Sequence, residues 1–170
     1  INLINDAIAY AIYEPNVNMQ KMAKKLAPDA KFYDSLDKIL SDENIDCWLI
    51  VSPNHLHMDQ LEQLAGIPHR PILVEKPLFT EIKHLERIKN FSIKYSAPVW
   101  VAMEYRYMPP IAELIKRQNN VTGSIKMLSI REHRFPFLPK VDDWNRFNKN
   151  SGGTFVEKCC HFFDLMRLIT

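Results

Sequence analysis

Residues 46–55 read Asp46-Cys-Trp-Leu-Ile-Val-Ser-Pro-Asn-His55, and residues 71–77 read Pro71-Ile-Leu-Val-Glu-Lys-Pro77. Each is a short, unbroken apolar run that stops at a polar turn containing proline. A strand half-open to water alternates apolar and polar residues, whereas one covered on both faces reads as a continuous apolar run. The two segments therefore predict buried strands over 46–51 and 71–74. Between them, Leu56 to Ala65 has the spacing of a helix. Further out, Ala7 to Tyr13 and Pro98 to Met103 read as strands. Val17 to Leu26 places Met19, Met22, Ala23 and Leu26 on one helical stripe. Ser35 to Leu40 reads as a short helix, and Thr80 as the N-cap of a helix running to about Lys94. This alternation predicts an α/β fold with a doubly wound parallel sheet. Right-handed crossovers put the C-terminal ends of the strands on one rim, where such folds bind ligands.

The rhythm changes after Met103. Pro109-Pro110 opens a helix through about Arg117. Gly123 to Phe135 alternates in character and reads as an extended antiparallel strand. A polar stretch follows from Lys140 to Gly153. Thr154 to Thr170 then has helical spacing at Phe155, Cys159, Phe162, Leu165, Met166 and Ile169. The expected organisation is one domain over residues 1–104 and the beginning of a second over 105–170.

The 170 residues are 46% apolar with a net charge of +2, enough for one sizeable core and without a basic face for nucleic acid. The apolar runs are strand-sized, far short of the ~20 residues of a membrane span. Residues 1–9 lack the basic and apolar pattern of a secretory leader. Three cysteines, two of them adjacent, do not suggest a disulfide framework, and a reducing cytoplasm is the expected setting. Cys159, Cys160 and His161 are neighbours that point in different directions on a helix, and no second ligand pair has metal spacing, so no metal site is expected.

Candidate chemistry lies at the strand ends. A carboxylate at Glu14 can accept hydrogen bonds from a ribose diol, which favours NAD over NADP; the alternative is a turn residue before Pro15. Ser52, Pro53 and Asn54 form a loop able to pass beneath a cofactor, the alternative being a turn that only stops the strand; His57 follows on the helix, as a ligand contact or a packed helix residue. Lys76, fixed by Pro77 at the end of an apolar strand, points into the rim and suits proton transfer or polarisation of an oxygen; the alternative is a solvated strand-end lysine. Glu157, His161 and Asp164, spaced by four and three, fall on one helix face and offer an imidazole with a carboxylate beside it. Trp144, Asn145 and Arg146 sit in the polar loop before Gly152-Gly153 as candidate contacts for a hydroxylated ligand. A dinucleotide turn of the form G-x-G-x-x-G is not made by Gly66, Gly123, Gly152 or Gly153. The expectation is that it precedes Ile1 and that Ile1 to Asp6 end the first helix.

Three segments in register, Val51-Ser-Pro-Asn-His-Leu-His57, Ile72-Leu-Val-Glu-Lys-Pro77 and Gly152-Gly-Thr-Phe-Val-Glu-Lys-Cys-Cys-His-Phe-Phe-Asp164, resemble the Gfo/Idh/MocA oxidoreductases. The resemblance implies a Rossmann domain that binds NAD or NADP, followed by an α/β domain with a mostly antiparallel sheet that often builds dimers or tetramers. It places the catalytic lysine at Lys76 and the acid and histidine of the helix at Glu157 and His161. Glu157 stands where Asp is more frequent. Asp164 matches a further acidic position, assigned to substrate. Glu75 and His57 match positions on the nicotinamide side. Arg106 falls in an Asn-x-Arg segment near the cofactor, with Glu104 in place of Asn. The implied activity is hydride transfer between a nicotinamide and a secondary hydroxyl of a sugar or cyclic polyol. The alternatives are a non-catalytic nucleotide-binding regulator or an inactive fragment on the same fold.

Overall fold

A computed structural model describes residues 4–121, 123–133 and 138–170. The chain divides into two compact units, residues 1–47 and residues 48–170. Within the second unit, the segments after residue 140 pack against the strand ends, through Asn54 on the Ser151 carbonyl and Lys76 on the Glu157 carbonyl.

In the first unit, β1 (Ala11–Tyr13) and β2 (Lys31–Tyr33) pair in parallel, Ala11 opposite Lys31. The helix α1 (Val17–Leu26) joins them, and α2 (Leu36–Leu40) follows. The Asn16 side chain caps α1, accepting from the Asn18 and Met19 amides at 3.0 and 3.1 Å. Strand β1 is shorter than the expected 7–13, and β2 escaped the sequence reading. The expected helix tail at 1–6 lies partly outside the described residues, and Asn5 and Asp6 form a turn. Beside the sheet, the Asp42 carboxylate accepts from the hydroxyls of Tyr10 and Tyr33, from Lys31 Nζ at 3.1 Å and from the Asn44 amide at 3.0 Å.

The second unit holds a parallel sheet in the order β3 (Trp48–Ile50), β4 (Ile72–Val74), β5 (Val99–Val101), with Trp48, Ile72 and Val99 in register. The crossovers are α3 (His57–Leu64) and α4 (Leu85–Lys94), entered through 3₁₀ turns at Asn54–Leu56 and Ile82–His84. One sheet face carries Trp48, Ile50, Ile72 and Val74, which are buried, as are Met58, Leu61 and Leu64 of α3 and Phe91 of α4. Burying each such side chain contributes roughly 1.5–3 kcal/mol. The opposite face corrects the expectation of cover on both sides. Leu49, Leu73 and Trp100 stand in register across the three strands, and Trp100 is 56% exposed.

Thr80 does not cap the helix. It is buried, and the turn that opens α4 begins at Ile82, two residues later. After β5 come a 3₁₀ turn at Glu104–Tyr107 and α5 (Pro109–Val121), with proline at its first position, where a missing amide costs no hydrogen bond. The expected antiparallel strand over 123–135 is not formed in its described part, 123–133. Alternation makes a strand only where a neighbouring strand supplies hydrogen bonds, and the described residues bring none alongside. The rest of that segment lies outside the described residues. The single helix expected over 154–170 is two helices, α7 (Gly153–Glu157) and α8 (Cys160–Ile169), preceded by the short α6 (Asn148–Ser151).

Candidate active site

The rim of the second unit is built by the residues that follow β3, β4 and β5. The parallel ladder continues past each strand: Glu75 N donates to the Ile50 carbonyl and Ala102 N to the Val74 carbonyl, both at 2.8 Å. This fixes Ser52, Lys76 and Met103 on one edge.

Lys76 is half-buried at the end of β4. Its ammonium donates to the backbone carbonyl of Glu157 at 2.8 Å. The break between α7 and α8 makes this contact possible, since a carbonyl inside an uninterrupted helix is engaged by the amide four residues on. Cys160 Sγ also donates there, at 3.7 Å. Burial pushes the Cys160 thiol above its usual range, with the positive charge of Lys76 acting in the other direction. The Glu157 side chain is buried, at 7% exposure, and pairs with Lys158 Nζ at 3.0 Å. The structure therefore brings Lys76 to Glu157, but through main chain rather than carboxylate, and the break removes Glu157 from the helix that carries His161 and Asp164.

His161 lies in the first turn of α8, its side chain only 4% exposed. Three successive residues of the Glu104–Tyr107 turn meet this helix. Glu104 Oε1 lies 3.3 Å from His161 Nε2. The Tyr105 ring stacks on the imidazole, centroids 4.1 Å apart and planes 4° from parallel. Arg106 grips Asp164 with two N–H groups, Nε at 2.5 Å from Oδ2 and Nη2 on Oδ1. This fork matches a carboxylate in geometry and charge, and holds the guanidinium above its usual range. Arg106 and Asp164, which the resemblance assigns to cofactor and substrate, pair with each other here. Tyr105 was not foreseen, and nothing in its local sequence marks it.

The Ser52–Asn54 loop is held from both sides. Ser52 Oγ donates to Gln60 Oε1 at 2.6 Å, and the buried Asn54 Nδ2 donates to the Ser151 carbonyl at 3.3 Å. His57 is 0% exposed, with Nδ1 2.8 Å from the Pro77 carbonyl and Nε2 2.9 Å from the Ser52 carbonyl. Both ring nitrogens thus lie against carbonyls of the loops after β3 and β4. Glu75 folds back onto the Lys76 amide at 3.2 Å. In the first unit, Glu14 follows β1 and its Oε1 accepts from the Asn16 amide at 2.8 Å, the turn role weighed against ribose binding.

The double glycine delivers α7. Gly152 and Gly153 both have positive φ, +81° and +78°. A Cβ on Gly152 would lie 2.7 Å from Val156 Cγ1 and 3.1 Å from the Thr80 carbonyl oxygen, so only glycine lets this turn approach the loop after β4. Beside it opens a cleft of about 400 Å³ lined by Asn145, Arg146, Asn148, Ser151, Thr154 and Glu157 among others. Asp142 and Asp143 take left-handed backbone conformations that kink the chain just before these residues. Arg146 Nε pairs with Asp143 at 3.1 Å. Trp144 does not line the cleft; its ring lies tilted against His55, 6.5 Å between centroids. Burial pushes the His55 imidazole below its usual range. Among the described residues no cluster of His, Cys, Asp or Glu could hold a metal ion, and no helix is long and apolar enough to cross a membrane.

Residues 5–103 match an oxidoreductase family with an NAD-binding Rossmann fold, and residues 113–170 match the C-terminal α/β domain of the same family. Among curated proteins, the chain is 26% identical over 171 residues to myo-inositol 2-dehydrogenase of Thermotoga maritima, covering 99% of this chain and 49% of that protein. It is 26% identical over 136 residues to inositol 2-dehydrogenase of Rhizobium meliloti, covering 79% and 39%. Among solved structures, a probable dehydrogenase from Thermotoga maritima superposes with a TM-score of 0.77 at 23% identity, covering 99% of this chain and 49% of the other. A levoglucosan dehydrogenase in complex with NADH and levoglucosan gives 0.75 at 20% identity, covering 96% and 45%. The chain spans about half the length of the first of these curated relatives. With both halves of the chain matched in order and the parallel sheet in place, this protein belongs to the Gfo/Idh/MocA oxidoreductase family.

Proposed function

We propose that this chain carries the rim of a nicotinamide-dependent dehydrogenase that oxidises a secondary hydroxyl of a sugar or cyclic polyol. The observation that carries the reading is the hydrogen bond from Lys76 Nζ to the Glu157 carbonyl, which draws the strand-end ammonium to the segment bearing His161. The donor chemistry fits the nicotinamide half of the cofactor. An ammonium has three N–H donors, and one of Lys76's is given to Glu157, at a rim bordered by Ser52, Pro53 and Asn54. When bound, NAD would accept the hydride from the carbinol carbon. Lys76 would hold and polarise the reacting oxygen. His161 would take the hydroxyl proton as the C–O bond becomes C=O. The polar cleft beside Glu157 suits a polyhydroxylated substrate, with Asn145 and Arg146 as contacts. Arg106, Asp164 and His57 would position these groups rather than touch the ligand. Glu14 would select NAD over NADP by repelling a 2′-phosphate.

The same reading treats residues 1–104 as the cofactor-binding part and 105–170 as the start of a substrate-binding part that assembles into dimers or tetramers. The inositol and levoglucosan dehydrogenases among its relatives support the substrate class. The test is a fluorescence titration of the purified protein with NADH and NADPH, then turnover of a polyol panel by the protein and by Lys76→Met. The expected result is preferential NADH binding and a loss in kcat/KM well beyond tenfold, about 1.4 kcal/mol of barrier. Turnover of the variant within about tenfold overturns the role of Lys76.

A further inference from the structure

The Glu104–Tyr107 turn does more than join β5 to α5, because its first three residues all reach α8. Arg106 locks the turn to the helix through Asp164, and Tyr105 lies flat on the imidazole, so Glu104 is held in place although its side chain is 58% exposed. We propose that Glu104 is a positioning residue for His161: its carboxylate accepts from Nε2–H, orients the ring and favours its protonated form. This rests on the reading of His161 as the acid–base group.

Glu132 accepts from the hydroxyl of the stacked Tyr105 at 2.7 Å, and Glu104 places a carboxylate oxygen 3.3 Å from the imidazole. On its own helices, Glu157 is paired with Lys158, and Asp164 with Arg106; Cys159 and Cys160 flank it in sequence. On the β4 end, Lys76 points its ammonium at the Glu157 carbonyl. With Nε2–H turned to Glu104, the substrate proton goes to the lone pair of Nδ1; the ring becomes positive, and Glu104, 3.3 Å from Nε2, stabilises that charge. An orienting acid beside a catalytic imidazole fixes its tautomer and supports the imidazolium, as the aspartate does in a Ser-His-Asp triad.

The test is an NMR titration of the His161 ring in the protein and in its Glu104→Gln and Glu104→Asp variants, with kcat/KM for alcohol oxidation followed against pH. Gln keeps the shape and hydrogen-bonding capacity but not the charge. The expected result is that Gln moves the ring's titration midpoint down by about one pH unit, that Asp restores most of it, and that the low-pH limb of the rate profile moves down with the midpoint. A midpoint that does not move in Glu104→Gln overturns the proposal. A midpoint that moves while activity and its pH profile do not upholds the pairing and overturns instead the reading of His161 as the acid–base group.

Discussion

Replacing Gly152 with alanine separates two effects that usually come together. Three glycines have positive φ: Gly123 at +66°, Gly152 at +81° and Gly153 at +78°. An L-residue in this region costs ~1–2 kcal/mol, partly offset by the stiffer unfolded chain, so each substitution starts from a net loss of ~1 kcal/mol. At Gly123 the new Cβ meets nothing within 4 Å, and at Gly153 its nearest neighbour is Asn148 Oδ1 at 3.6 Å. At Gly152 it meets Val156 Cγ1 at 2.7 Å, Val156 Cβ at 2.8 Å and the Thr80 carbonyl at 3.1 Å. A rotamer change moves Cγ1 away but not Cβ, and the carbonyl is backbone. Overpacking adds ~1–3 kcal/mol, for a total near 3 kcal/mol. For a chain of this size that is a fall in Tm of about 6–12 °C, against about 2–4 °C for Gly123→Ala and Gly153→Ala. Thermal melts of the three variants by circular dichroism decide it. If Gly152→Ala melts with Gly153→Ala, the close approach to the Thr80 loop carries no weight and the account of how α7 is placed is wrong.

Two other sites give independent checks. His57→Ala strips the Pro77 and Ser52 carbonyls of a buried partner and leaves a hole, so a loss of ~3 kcal/mol is expected in a denaturant melt; a loss under about 1 kcal/mol would mean the two loops hold without it. Asp42 is held well below the usual carboxylate range, first by the Tyr33 hydroxyl, then by the Asn44 amide and Lys31. A carboxylate with a depressed folded-state pKa stabilises the fold above its unfolded value near pH ~4, and that stabilisation is lost as pH falls toward the folded value. Asp42→Asn should therefore lower the protection of the β1 and β2 amides from hydrogen exchange at pH 7, and the gap to the parent should close below about pH 4; a gap independent of pH would refute the role of its charge.

The sheet and the chemistry were legible in the sequence to different depths. Cys47 to Val51 and Pro71 to Val74 announced β3 and β4 as unbroken apolar runs ending at polar, proline-containing turns, although only alternate side chains, Trp48, Ile50, Ile72 and Val74, are buried. Lys31–Tyr33 left no such mark, since β2 is three residues long and begins with an exposed lysine. The stretch 123–133 carried the mark of a strand, but no strand lies alongside it among the described residues, as pairing is a tertiary property. Lys76, Glu157 and His161 were legible as residue types at strand and helix ends. How they meet was not. Lys76 binds a main-chain oxygen released by a helix break, and Glu104, Tyr105 and Arg106 reach α8 across more than 50 residues of chain. Arg106 and Asp164 each looked like a ligand contact when read alone; only the fold shows them facing each other.

The flat stack of Tyr105 on His161 also has a magnetic consequence. At 4.1 Å and 4° from parallel, the imidazole carbon-bound protons sit in the shielding cone of the phenol ring. They should resonate upfield of those of ordinary exposed histidines, which sets one of the chain's six histidines apart in a crowded aromatic spectrum. Any event that lifts the ring from the tyrosine, ligand entry included, would send those signals back downfield, so the protein carries its own reporter at the centre of its candidate site.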